Sequence, residues 1–286
     1  MAMVLITGCS SGFGLEAALA FARRGDTVCA TMRDLGKADA LRTRAADEGV
    51  EVDLEAMDVT DDASVARGIV AVTDRHGPID VLVNNAGVGY GGPVETIPMA
   101  AAQSLMDTNF WGAVRTIREV LPSMRERRSG VIINVTSLSG LIPGALYTGM
   151  YAASKHALGA LSEALATEVD PFGVRVVCVA PGFFATEINA NSDATDDGVE
   201  GSAYEADAGW WSSFMETSIN DGADARVVAD AIVDASTDPD TPLHRPVGDD
   251  ADLYLGLWDQ TRTYERWIET AIPVVEMTAG PRPTPA

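Results

Sequence analysis

From Met3 to Pro181 the chain alternates short apolar, β-branched runs with longer stretches of helical period. MVLIT (3–7), TVCATM (27–32), EVDLEAMDV (51–59), IDVLVNN (79–85), VIINVTS (131–137) and VRVVCVAP (174–181) read as strands. Residues 14–25, 34–49, 61–77, a long segment around 99–127, and 150–169 carry the helical period, with Asp61 as an N-cap. Strands that alternate with helices can be joined only by crossovers, which gives parallel strands with helices on both faces. The strands are almost continuously apolar, as strands covered on both sides are. The fold class expected is therefore α/β, a doubly wound parallel sheet in one domain.

Beyond Pro181 the pattern weakens. Residues 188–222 are rich in Asn, Ser, Asp and Gly, with Trp210, Trp211, Phe214 and Met215 near their end. A helix over 223–236, an edge strand within 243–248 and one or two helices over 250–272 complete about seven strands. One domain is expected over 1–275, with 276–286 unstructured.

TGCSSGFG (7–14) lies directly between the first strand and the first helix. Gly8, Gly12 and Gly14 permit a tight turn and close backbone approach, and a helix N-terminus offers free N–H groups to an anion. Strand, glycine turn and helix in this order suit a dinucleotide phosphate, although the spacing is Gly-x3-Gly-x-Gly. YAASK (151–155) places Tyr151 and Lys155 four apart, on one helix face. The chain has two lysines in all, and one stands there.

These two motifs together resemble the short-chain dehydrogenase/reductase family. The resemblance runs from about residue 3 to 187 and more loosely to 248. It implies a Rossmann-type fold and contacts to a nicotinamide dinucleotide from Gly8, Ser10, Ser11, Gly12, Phe13 and Gly14. Asp58 resembles the aspartate that meets the adenine, with Val59 beside it as a further cofactor contact, Asn85, Ala86 and Gly87 belong to a segment resembling the family's NNAG motif, and Pro181, Gly182 and Thr186 resemble the turn near the nicotinamide. Tyr151 would be the general acid/base and Lys155 its neighbour and ribose ligand. Ser137 would orient the substrate oxygen, with Ser139 as the other serine available. Asn109 resembles the helix asparagine of a proton relay. A free tyrosine hydroxyl has a pKa of about 10, and a nearby ammonium would lower it, so Lys155 is expected to make Tyr151 useful near neutral pH. The phrase ATMRDL and the long C-terminal region resemble the steroid and retinol dehydrogenase-like branch.

At the end of the second strand, Met32 occupies the place of the acid that would take a ribose 2′-hydroxyl, and Arg33 follows. Arginine pairs with a 2′-phosphate. NADP(H) is the expected cofactor and NAD(H) the alternative, with Asp34 close enough to favour the latter. A dinucleotide sensor without turnover is a further alternative. The substrate lid is expected over about 183–220, where the aromatics suit a small apolar alcohol or carbonyl compound. A C-terminal helical extension is expected over 249–272. Partners expected from the family are further copies of the chain, as a homodimer or homotetramer through the helices at 99–127 and 150–169.

The formal net charge of −22 disfavours nucleic acid and anionic membrane surfaces. No apolar run approaches the roughly 20 residues of a membrane span, and three scattered cysteines (Cys9, Cys29, Cys178) fit reduced thiols in a cytoplasmic protein. No metal site is expected. His76, His156 and His244 read as surface or capping residues.

Overall fold

The computed structural model describes residues 1–184 and 199–283. Thr186 and most of the acidic stretch 192–201 lie outside the described residues. The strands are β1 (Met3–Thr7), β2 (Thr27–Met32), β3 (Asp53–Ala56), β4 (Val81–Asn84), β5 (Gly130–Val135), β6 (Val174–Pro181) and β7 (His244–Val247). They form one sheet in the order β3-β2-β1-β4-β5-β6-β7, with every neighbouring pair parallel.

All five residues of β1 are buried, and they alternate between two cores as a period of two requires. Val4 and Ile6 pack with Leu19 and Phe21 of α1 (Gly12–Arg23), Leu41 of α2 (Asp39–Glu48) and Ile232 of α8 (Ala225–Thr237). Met3 and Leu5 face Val72 of α3 (Asp62–His76), Ile117 of α5 (Gly112–Arg127) and Leu165 of α6 (Gly149–Val169). Asp61 caps α3 by accepting from the Ala63 and Ser64 N–H groups at 2.8 and 3.1 Å. A buried polar chain ties the centre: Thr116 Oγ1 donates to Asn84 Oδ1, Asn84 to Asn134 and Asn134 to Ser162, at 2.5, 2.9 and 2.8 Å. The three cysteines are buried free thiols.

Two segments differ from expectation. The stretch at 99–127 is helical throughout but changes pitch: α4 (Met99–Met106) passes through a π turn, Asp107–Trp111, into α5. The C-terminal region forms two helices, α9 (Asp249–Thr261) and α10 (Tyr264–Ala279). The unstructured tail expected from 276 therefore begins inside α10. Trp267 and Val275 on that helix are buried against neighbours that include α7 (Glu205–Asn220) and α9, which offsets the cost of carrying Pro273. Among the described residues no helix is long and apolar enough to cross a membrane.

The strand order reverses between β1 and β4. In open α/β sheets this reversal opens a crevice at the carboxyl ends of the strands, and the candidate residues collect there.

Candidate active site

The glycine loop is shaped by its neighbours. Gly8 has φ +72°, and a Cβ there would lie 2.7 Å from the Ala86 Cα. A Cβ on Gly14 would collide with the Gly8 carbonyl and the Asn85 amide. Asn85 donates to the Thr7 and Gly8 carbonyls, both at 2.9 Å, so the NNAG segment braces the loop. Ser11 begins α1 without a side-chain cap, leaving the helix's first-turn N–H groups to face the crevice. That is the cradle an anionic pyrophosphate needs.

From the loop an open cleft of about 1880 Å³ runs along the ends of the strands. Gly8, Ser10, Ser11, Gly12 and Phe13 line it, as do Asp58, Val59, Asn85, Ala86 and Gly87. Arg33 and Lys37 lie at the β2 end, and Ser137, Tyr151, Lys155, Pro181 and Gly182 at the β5–β6 end. Both lysines of the chain thus border one cleft. Sequence reading passed over Lys37, although its place four residues after Arg33 was a usable signal. Met32 is buried, and the Asp34 carboxylate accepts from the Gly36 N–H at 2.8 Å, capping a short 3₁₀ turn.

At the reactive end, Ser137 and Tyr151 line the same stretch of the cleft, and the Ser137 hydroxyl accepts the Ser139 N–H at 3.1 Å. Ser139 lines the cleft as well. Lys155 is 4% exposed; its Nζ donates to the Val135 carbonyl at 3.0 Å and lies 5.8 Å from the Tyr151 ring centre. Burial pushes the Lys155 ammonium down to about 8. Burial also pushes the Tyr151 hydroxyl up, opposed by the neighbouring Ser137 hydroxyl. The Lys155 amine is aimed at the Val135 carbonyl, and burial is the larger influence on both groups.

Asn109 sits in the π turn. Its Oδ1 accepts the Val88 N–H at 2.8 Å, and its Nδ2 donates to the Val88 carbonyl and Ser154 Oγ at 3.0 and 3.2 Å. The amide is therefore committed to fixing the loop after β4 against α6. Tyr147, one turn before Tyr151, points elsewhere and donates to Asp207 Oδ2 at 2.5 Å. Of the apolar residues expected in the lid, Trp211 and Met215 line the cleft, whereas the Trp210 indole donates to the Gly280 carbonyl at 2.8 Å. His76 and His244 pair with Asp53 and Glu163, each at 2.8 Å, and His156 bonds the Ala152 carbonyl, all away from the cleft.

Asp250 is a second residue that sequence reading missed. From the first turn of α9 its Oδ2 accepts the Phe183 N–H at 2.6 Å, and it packs so closely on Gly182 that no side chain fits there. The C-terminal helices thus fasten the Pro181–Gly182 turn.

Residues 2–197 match the short chain dehydrogenase family. Bovine retinol dehydrogenase 8 is 46% identical over 188 residues, which cover 64% of this chain and 59% of that protein. The matched part is thus less than two thirds of the relative's length. A crystal structure of a short-chain dehydrogenase from Streptomyces avermitilis superposes with a TM-score of 0.81 at 35% identity, covering 94% of this chain and 96% of that one. Actinorhodin polyketide ketoreductase, solved with NADPH, gives a TM-score of 0.72 at 26% identity over 86% and 94% of the two chains. With a seven-stranded sheet of the family's type and the family match over most of its length, the chain belongs to the short-chain dehydrogenase/reductase oxidoreductases.

Proposed function

We propose that the protein interconverts an apolar alcohol with its ketone or aldehyde, using NADP(H), with Tyr151 as the proton donor and acceptor. The observation that carries this is the grouping of Ser137, Tyr151 and Lys155 in the same cleft as a glycine cradle for an anion. The nicotinamide, when bound, supplies or accepts the hydride at the substrate carbon. In the reducing direction Tyr151 gives its proton to the carbonyl oxygen, and Ser137 donates a hydrogen bond to that oxygen. The alcohol forms and Tyr151 is left as the phenolate, which the Lys155 ammonium and a positively charged nicotinamide stabilise. Lys155 would hold the ribose hydroxyls as well. Since the Asn109 amide is engaged, its part in returning a proton to Tyr151 belongs to its main chain.

NADP(H) is favoured by the cations Arg33 and Lys37 at the β2 end and by the absence of an acid at Met32. The actinorhodin ketoreductase structure contains NADPH, which agrees with this reading. Leu138, Phe183, Trp211, Met215 and Ile219 along the reactive end favour an apolar substrate. Three buried free thiols favour a reducing, cytoplasmic setting.

The test is a panel of alcohols, ketones and aldehydes with each nicotinamide, following absorbance of the reduced cofactor. Tyr151→Phe should lower kcat by about 10²–10⁴-fold while NADPH binding persists. A variant that kept more than about a tenth of the parent rate would remove Tyr151 from its role.

A further inference from the structure

We propose that a second, apolar chamber next to the reactive cleft receives the unbranched hydrocarbon tail of the substrate, and that the protein acts on long-chain alcohols or carbonyl compounds. This rests on the oxidoreductase reading above and adds the class of substrate. The chamber has a volume of about 620 Å³, within the range of ligand sites, roughly 300–1,000 Å³, and far above ordinary packing voids. Its walls include the loop before α6 with Ile142, α7 with Phe214, α9 with Tyr254, and α10 with Trp267, Ala271 and Val275.

The chamber and the cleft share four lining residues, Leu138, Ser139, Phe183 and Trp211. Leu138 directly follows Ser137 in the chain, so a tail leaving the reactive oxygen past Leu138 enters the chamber. Phe183 forms the partition. Its ring meets Phe214 and Tyr254 edge-on, at 5.8 and 6.3 Å, and its N–H is held by Asp250. Two of the hydroxyls in the walls are turned to partners: Tyr147 donates to Asp207 and Tyr204 to Glu95, each at 2.5 Å. Such walls offer a guest little besides apolar contact, which suits methylenes and penalises a polar group. Val94 and Tyr264 also line the chamber and are 71% and 59% exposed, so its far end meets the surface there. A tail longer than the chamber can emerge at that end.

The experiment compares 2-butanone with 2-decanone using NADPH, and 1-butanol with 1-decanol using NADP, in the parent and in Ala271→Phe. Each methylene moved out of water should raise kcat/KM about threefold, so the longer member should be favoured by roughly a hundredfold or more. Ala271→Phe fills the chamber from α10 and should bring the long-to-short ratio to within about tenfold of unity. Ile268→Phe, filling from the same helix, replaces it should the first variant not fold. A parent ratio within about threefold of unity, with good turnover of the short compounds, would overturn the tail site and leave the oxidoreductase reading standing. Turnover of none of the four, with NADPH still bound, would instead count against the oxidoreductase reading. The chamber is then decided by tryptophan fluorescence, since Trp211 and Trp267 line it. In the parent with NADP, 1-decanol should give a saturable signal whose Kd rises at least tenfold in Ala271→Phe. No signal, or an equal Kd in the variant, overturns the proposal.

Discussion

Lys155 combines burial with a single carbonyl partner, and desolvation brings its pKa down to about 8. The ammonium is therefore present in the free protein below that pH and lost above it. A bound anionic dinucleotide favours the charged amine. NADPH affinity should be level below about pH 7 and fall by up to tenfold per pH unit above about pH 8, where binding must first take up a proton. Lys155→Met should bind more weakly and show no such slope; fluorescence titration of NADPH from about pH 6.5 to 9.5 measures both. Stability has the opposite sign. The folded pKa lies below the unfolded value of 10.5, so the unfolded chain binds the extra proton and stability from this group rises between about pH 8 and 10.5. At the other end of the cleft, Arg33 and Lys37 each offer a charge to a 2′-phosphate. Arg33→Ala and Lys37→Ala should each cut kcat/KM for NADPH by about tenfold and change that for NADH little, one charge-assisted contact being worth about 1.5–3 kcal/mol before solvent screening. A parent enzyme that uses NADH as well as NADPH would remove the preference.

At the scale of elements, α7 is held from two sides. The Tyr147 hydroxyl reaches Asp207 from the loop before α6, and Arg282 reaches the same carboxylate at 2.6 and 2.8 Å from beyond α10. The Trp210 indole adds its bond to the Gly280 carbonyl. Arg282 holds the Asp207 carboxyl below the usual range, so this contribution is present at neutral pH and lost as pH falls through that lowered pKa. Arg282 is about 38% exposed, which limits the pair's worth. Arg282→Ala should cost about 1 kcal/mol, a fall in Tm of roughly 2–4 °C by calorimetry at pH 7, and the difference should shrink at acid pH. None of this latch was legible in the sequence. Asp207 and Arg282 are 75 residues apart, and AGPRPTPA has a disordered composition until α10 delivers it to α7. The π turn at 107–111 was hidden for a similar reason: the local pattern is plainly helical, and the widening coincides with bonds from Asn109 to Val88, 21 residues upstream. The glycine loop was legible because its conformation is needed locally, between a strand and a helix adjacent in sequence.

The molecule as a whole was legible where burial is two-sided. The runs from MVLIT to VRVVCVAP could only be central parallel strands, and they are β1 and β6 of the sheet. The strand order could not be read from them, because the central strands are apolar on both faces and carry no mark of their neighbours. The outer surface poses the remaining question. On α6 the exposed residues Ala153, His156, Ala160 and Ala164 form a low ridge, and Trp111 at the start of α5 is 50% exposed. We propose that two copies pair through these helices, small side chains there allowing close helix approach. Each copy carries a formal charge of −22, so association must overcome strong mutual repulsion. Salt shortens the Debye length from ~30 Å at 0.01 M to ~10 Å at 0.1 M, while apolar burial is not weakened by it. The dimer should therefore tighten as salt is added, the reverse of an interface held by opposite charges. Light scattering after size exclusion should give twice the 30.1 kDa chain mass at about 0.5 M NaCl and a larger monomer fraction at about 0.01 M. Ala160→Arg, which puts a bulky side chain on the ridge while lowering the net negative charge, should yield monomer at both. A parent protein that is monomeric throughout, or a dimer that loosens with salt, would rule out this face as an apolar interface.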